Sequence, residues 1–236
     1  MEKRDYSGLN NATWDALHGP HSKISEKTEL ACAYKKGYYA FAAIKEDTKK
    51  AYKELASIVS PGRIVAISRR DKGHPIEYPE WNHLGTPKGY RMVLEAPINV
   101  PDLPIEKLTL DDALEMIALT KASSNTETLT LNKIEVGDFY GIKDNGRVVA
   151  MAGERLQLDD YTEVSGVVTH PDYRKRGYGG GLTLFKCKQV QERGKTPFLG
   201  VWETNTGAVR LYQKLGFKIL RPGYIVLLQR TDRTIE

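Results

Sequence analysis

Val164-Ser165-Gly166-Val167-Val168-Thr169, followed by His170-Pro171-Asp172-Tyr173-Arg174-Lys175-Arg176-Gly177-Tyr178-Gly179-Gly180-Gly181, is the stretch that decides the reading of this chain. A β-branched run enters a basic, glycine-rich loop, and a helix is expected from there to about Arg193. Glycines let successive backbone N–H groups turn toward one concave spot, and a helix N-terminus adds its positive dipole end. Such a loop suits phosphate groups. Arg174, Lys175 and Arg176 bring positive charge to its entrance. Three phosphate loops have to be separated. A P-loop closes on Gly-Lys-Ser/Thr, whereas Gly181 runs into Leu182-Thr183. A dinucleotide fingerprint needs G-x-G-x-x-G directly after its strand. Here Leu182 stands where the last glycine is required, and the basic loop intervenes. What remains is Arg174-x-x-Gly177-x-Gly179, a phosphate-binding loop of another kind or else only a flexible turn.

The surroundings give that loop a context. Thr109-Leu110-Asp111-Asp112 reads as a capping box with Asp for Glu, opening a helix through Leu119. The polar stretch 122–138 carries weak structure signals. Asn145-Gly146 supplies the positive φ of a type I′ turn between strands at 139–143 and 147–158. Asp159-Asp160 turns the chain into a third strand at 161–169, completing an antiparallel meander. After the glycine loop and its helix, 197–203 reads as a strand. The segment 205–215 reads as a helix with Ala208, Leu211, Tyr212 and Leu215 on one side and Gly216 as its C-terminal stop. Strands at 217–220 and 224–229 are expected to join through a Pro222-Gly223 turn.

Upstream, 97–104 holds three prolines and ends whatever precedes it. The boundary falls there, with a mixed α/β portion at 1–100 and a second domain at 101–236. Helices are expected at 11–17 and 47–59, and strands at 38–44, 63–68 and 90–95. No chemistry is readable in this part.

Arg174-x-x-Gly177-x-Gly179, with His170-Pro171 before it, resembles the pyrophosphate signature of the GNAT superfamily of N-acetyltransferases. Asn205-x-x-Ala208-x-x-Leu211-Tyr212-x-x-Leu215-Gly216-Phe217 resembles its second cofactor motif, and the order of elements over about 105–229 resembles its fold. The layout of the whole chain is similar to the glycine N-acyltransferase-like branch, in which 1–100 would be a degenerate GNAT-like half or a substrate-side domain. The resemblance implies an α/β fold whose mixed, mostly antiparallel sheet splays at the cofactor site. It implies acetyl-CoA as cosubstrate and no metal. Val167, Val168 and Thr169 would pair with the pantetheine arm, and an N–H near Val168 would polarise the acetyl carbonyl. Arg174, Lys175, Arg176, Gly177, Tyr178, Gly179 and Gly180 would hold the pyrophosphate, with Asn205 and Ala208 at the arm. Tyr212 would protonate the departing thiolate; read bare, it is a core residue of its helical stripe. Glu163 would be the base, with Glu154 or a water chain as alternatives. Alternation puts Glu163 on one strand face with Ser165 and Val167.

The bulk numbers set limits on function. The chain has 236 residues, 40% hydrophobic and 28% charged, with a mean hydropathy of −0.46. Its apolar runs are too short to span a bilayer and no signal peptide is visible, so a cytoplasmic protein without a membrane partner is expected. Cys32 and Cys187 have no metal-like spacing, and Cys187 reads as a buried, inert thiol. The net charge of +5 invites a nucleic-acid reading, but the basic residues are scattered among acids, and no nucleic-acid partner is expected. The expectation is therefore acetyl or short-acyl transfer to a primary amine of a small molecule or amino acid, by direct attack. A non-catalytic acyl-CoA-binding module is the alternative, and a homodimer is the assembly to test.

Overall fold

The computed structural model of the protein describes residues 5–123 and 128–233. In chain order its helices are α1 (Ala12–His18), α2 (Lys49–Ile58), α3 (Ala113–Ala122), α4 (Leu131–Val136), α5 (Tyr178–Glu192) and α6 (Thr206–Lys214). Its strands are β1 (Ser25–Lys27), β2 (Ala31–Tyr34), β3 (Phe41–Ile44), β4 (Ile64–Arg69), β5 (Trp81–Gly85) and β6 (Lys88–Val93). They continue with β7 (Glu106–Lys107), β8 (Tyr140–Asp144), β9 (Arg147–Gln157), β10 (Tyr161–Thr169), β11 (Thr196–Trp202) and β12 (Lys218–Arg230). The chain divides into two compact units. One runs to Arg91 and includes Trp202–Thr204 and the chain from Arg221; the other comprises Met92–Val201 and Asn205–Leu220.

In the first unit β1, β2 and β3 form an antiparallel run, β3 pairs parallel with β4, and β4 and β5 each pair antiparallel with β12. A parallel pair needs a crossover, and α2 supplies it between β3 and β4. Thr48 caps α2 by accepting from the Ala51 N–H at 3.3 Å. Tyr52 and Leu55 of α2 then pack with Ala31, Ala33, Val65, Ile67, Trp81, Val226 and Leu228.

The second unit carries the glycine loop. Strands β7, β8, β9 and β10 are antiparallel in that order, and β11 adds parallel to β10 through the α5 crossover. Asn145 (φ 49°) and Gly146 (φ 79°) make the β8–β9 turn with the positive φ their identities favour. Alternation along β9 sends Met151 to one face, with Met116 and Leu119 of α3 and Ile134 of α4. Ala150 and Ala152 go to the other face, with Leu182 of α5. The Thr109–Asp112 capping box forms as written in the sequence, although its first turn is a 3₁₀ turn before α3.

Two sequence expectations fail for physical reasons. The expected Pro222-Gly223 turn is absent: β12 is one continuous strand from Lys218 to Arg230. A type II turn needs positive φ at the glycine, and Gly223 is not among the positive-φ residues. Pro222 lies outside the registered pairing with β4, which begins at Tyr224. The polar stretch after Ala122 holds α4, capped by Thr130 accepting from the Lys133 N–H at 3.3 Å. Its apolar periodicity is too short to read from sequence.

Candidate active site

The glycine loop is built by two left-handed residues. Lys175 has φ 63° and Gly177 has φ 84°, and Gly177 is the N-cap of α5 without any side-chain capping bond. The first intrahelical bond runs from the Gly181 N–H to the Gly177 carbonyl at 2.9 Å. The N–H groups of Tyr178, Gly179 and Gly180 therefore precede the first intrahelical donor, Gly181, as helix geometry requires. That is an anion cradle. Arg174, Lys175 and Arg176 are exposed around it. Arg174 Nε donates to the Thr169 carbonyl at 3.5 Å, and the Arg176 guanidinium lies 4.6 Å from the Tyr173 ring centre. The Tyr173 hydroxyl donates to Asp144, and that bond raises its pKa. His170 Nδ1 accepts from the Asp172 N–H at 3.3 Å and shapes the turn that leads in.

Beside the cradle the sheet opens. The parallel register between β10 and β11 pairs Tyr161 with Thr196, Thr162 with Pro197 and Glu163 with Phe198, and it ends there. Among the described residues, Val164–Thr169 and Leu199–Val201 add no registered pair to it. On its other edge β10 slips against β9 between Ser165 and Val168, where Gly166 has φ 61°. This bulge overturns the expected alternation. Val167 packs in the cluster of Leu182 on the α5 face, while Val168 packs with Met116 on the α3 face. Glu163 keeps the α3 face, opposite Val167, because the extra residue at the bulge reverses the facing beyond it. A Cβ at Gly179 would lie 3.2 Å from Thr169 Oγ1 and 3.9 Å from Val167 Cγ1, so the cradle and the free stretch of β10 are immediate neighbours.

The two carboxylates expected as bases are both buried and both held by cations. Arg155 Nε donates to Glu163 Oε2 at 2.9 Å and Nη2 to Oε1 at 2.8 Å. Gly200 lies over this pair, where a Cβ would be 3.4 Å from Glu163 Oε1. Glu154 faces the other way, accepting from Arg193 Nη2 at 2.6 Å and Gln157 Nε2 at 3.0 Å, with Lys186 Nζ at 2.9 Å. Lys186 is fully buried, bonds Asp138 as well, and sits 4.9 Å from the Tyr140 ring centre. Burial works against ionisation of Asp138, but bonds from Lys107 and Lys186 outweigh it and hold its pKa down at about 2.

On α6, Asn205 is the N-cap, its Oδ1 accepting from the Ala208 N–H at 3.1 Å. The helix lies against the cradle, since a Cβ on Gly180 would be 3.6 Å from both Leu211 and Leu215. Tyr212 is half-buried, its ring centre 5.7 Å from that of Phe217. Burial, with a smaller effect of Cys187, pushes its phenol up to about 12. Burial also raises the Cys187 thiol.

Arg155, Asp138 and Lys186 were not singled out from sequence. Arg155 had a signal, because a charged residue on the same face of the adjacent strand stands within reach of Glu163. Lys186, a buried cation on α5, interrupts the apolar pattern of its helix.

The FR47-like protein family model matches residues 139–226, the meander through β12. No curated protein matches the chain. A solved structure from Novosphingobium aromaticivorans DSM 12444, described as an acetyltransferase from the GNAT family, is 30% identical with TM-score 0.84, covering 94% of this chain and 98% of that one. A GCN5-related N-acetyltransferase from Kribbella flavida shares the fold at 17% identity and TM-score 0.64, over 94% and 96% of the two chains. A tandem GNAT protein from the clavulanic acid biosynthesis pathway does so at 12% identity and TM-score 0.58, over 99% and 91%. A capless glycine-rich helix start beside a parallel ladder that stops short, matched end to end by a relative at 30% identity, identifies this chain as a member of the GNAT acetyltransferase family, an acyltransferase enzyme.

Proposed function

We propose that the enzyme moves an acetyl or short acyl group from acetyl-CoA to a primary amine of a small molecule or amino acid, by direct attack. The observation that carries this reading is the parallel ladder ending at Glu163–Phe198 beside the open N–H groups of α5. The chemistry supplied by bound acetyl-CoA is an activated thioester. Arg174, Lys175, Arg176 and the amides of Gly177, Tyr178, Gly179 and Gly180 would hold its pyrophosphate, since the cradle and the charge are adjacent. Val167, Val168 and Thr169 offer the free strand edge an extended arm needs, with Asn205 and Ala208 at the start of α6. An N–H near Val168 polarises the carbonyl.

Glu163 takes a proton from the acceptor ammonium, directly or through water, and so frees the amine to attack the thioester carbonyl. The Arg155 fork occupies one lone pair on each carboxylate oxygen, and each oxygen has a second. Gly200, lacking a side chain, leaves that approach clear. Tyr212 gives a proton to the departing thiolate. Its raised pKa keeps it protonated through neutral pH, as a general acid requires.

Among the described residues no helix is long and apolar enough to cross a membrane. A cytoplasmic enzyme acting without a membrane or nucleic-acid partner belongs to the same reading. A homodimer is the assembly we would test, by light scattering. Residues 1–100 act as the substrate-side domain of the glycine N-acyltransferase-like layout. The experiment is a turnover screen with acetyl-CoA against amino acids including glycine, polyamines and amino sugars, following free thiol. Thiol release that requires an amine supports the proposal, and release that no amine stimulates counts against it.

A further inference from the structure

We propose that Tyr173 is a positioning residue for Arg176, holding its guanidinium over the ring so that the charge stays fixed at the entrance of the glycine cradle. The proposal rests on the reading of that cradle as the pyrophosphate site of acetyl-CoA, and it adds a residue that acts through another.

Tyr173 ends the 3₁₀ turn Pro171–Tyr173 ahead of the cradle, within the second unit. Its half-buried ring packs against the cluster that includes Ile142, Val149, Ala150 and Leu182. Its hydroxyl donates to Asp144, the last residue of β8. The His170 ring meets it edge-on, with ring centres 5.9 Å apart and planes at 80°. Core, hairpin and turn therefore all fix this ring. Arg176 stands differently, with its side chain exposed. Its guanidinium lies 4.6 Å from the Tyr173 ring centre, and Nη2 donates to the Asp172 carbonyl at 3.4 Å. Between the two residues Lys175 takes φ 63°, a left-handed conformation that non-glycine residues seldom adopt. That reversal returns Arg176 to the ring three residues before it. A free arginine side chain samples many rotamers and loses that freedom when it grips a phosphate. Stacking on a fixed ring removes part of this loss in advance, which favours binding without a new ligand contact. Asp172 takes one of the five guanidinium N–H donors, and the contact with the ring face consumes none.

The test is a double-mutant cycle on acetyl-CoA affinity, measured by calorimetry on the full chain: wild type, Tyr173→Leu, Arg176→Gln and the pair. Tyr173→Leu should weaken binding about threefold, the size of an exposed cation–π contact, and should add nothing in the Arg176→Gln background. Tyr173→Phe keeps the packing and loses only the bond to Asp144. It should weaken binding about twofold, again only where Arg176 is present, and it decides the matter if Tyr173→Leu does not fold. In turnover the loss should fall on the KM for acetyl-CoA rather than on kcat. A purely structural Tyr173 would weaken binding in both backgrounds, so equal effects with and without Arg176 overturn the proposal. Wild-type affinity in both Tyr173 variants overturns it as well, while leaving the cradle reading intact. Binding that Arg176→Gln does not weaken overturns it together with the place of Arg176 in the cradle, and no acetyl-CoA binding by the wild type overturns the cradle reading and this proposal alike.

Discussion

Glu163 and Phe198 are the last registered pair of the parallel ladder between β10 and β11, and β10 runs on to Thr169 beyond them. Unpaired strand edges are normally covered or blunted because their N–H and C=O groups need partners. Here the edge is left next to the one helix start that Gly177 leaves uncapped. Acetyl-CoA should therefore raise the melting temperature, as a ligand selective for the folded state does. Gly179→Val should remove that rise, because its side chain would fill the approach to the cradle, already 3.2 Å from Thr169 Oγ1 at the Cβ. Differential scanning fluorimetry decides it, and equal shifts in both proteins would refute the assignment of the loop.

The neighbouring glycines should separate cleanly. A Cβ at Gly180 makes ordinary contacts at 3.6 Å with Leu211 and Leu215, whereas one at Gly181 falls 2.3 Å from Leu103 Cδ1 and 3.1 Å from Pro101 Cγ. Gly180→Ala should be neutral or stabilise by about 0.5–1 kcal/mol through helix propensity, keeping its N–H. Gly181→Ala should cost about 1–3 kcal/mol from overpacking. Urea unfolding of the two variants measures both, and a reversed order would mean the packing around α5 is misassigned.

Lys186 is buried among Asp138, Glu154 and Gln189, tying α5 to β9 and to the turn two residues before β8. Lys186→Met should destabilise by about 1–3 kcal/mol, because Glu154 and Asp138 lose a shared buried cation while Arg193 and Lys107 remain beside them. Since the same helix starts at the cradle, apparent acetyl-CoA affinity should fall with stability. Calorimetric unfolding tests the first statement, and a loss under 1 kcal/mol would refute it.

Acid unfolding should carry a signature of Asp138. Its folded pKa, about 2, is depressed below the ordinary aspartate value of 3.8. A depressed carboxylate contributes stability above its unfolded pKa and loses it as pH falls through the folded value. The window is therefore about pH 4 to 2, and the contribution at neutral pH is about 2 kcal/mol. Asp138→Asn should flatten the stability profile in that window, and an unchanged profile would exclude the effect.

How much of this could be read in advance depended on whether local chemistry or packing decided each element. Asn145-Gly146, the Thr109–Asp112 box and the Gly216 stop were legible because each conformation is written in its own residue types. Strands β1, β2 and β5 went unread, since Ala31–Tyr34 is buried throughout and offers no alternation. The facing of Val167 was misread because one bulge at Gly166 reverses it, and periodicity cannot signal an extra residue. The partners of the two carboxylates went unread for a related reason: Arg155 and Lys186 acquire their roles only when strands and helix come together.

The final prediction separates base from acid. A lysine-like amine with a pKa of about 10.4 is free nucleophile in about one molecule in two thousand near pH 7, a deficit of roughly 4–5 kcal/mol. A positioned carboxylate offsets part of it by drawing off the proton, so its loss should slow turnover about 10²–10⁴-fold. Glu163→Gln should be most defective at low pH and partly rescued at high pH, where solvent deprotonates the amine. It also takes the carboxylate from Arg155, so rates are compared at a temperature where circular dichroism shows both proteins folded. Tyr212→Phe should differ. With the phenol pushed up to about 12 it remains a donor across the working range, and its removal should give a defect that persists or grows as pH rises, with acetyl-CoA affinity little changed. The measurement is kcat and kcat/KM for both variants across about pH 6–9. Normal turnover by Glu163→Gln at every pH moves the base to Glu154 or a water chain, and normal turnover by Tyr212→Phe leaves Tyr212 as a packing residue beside Phe217.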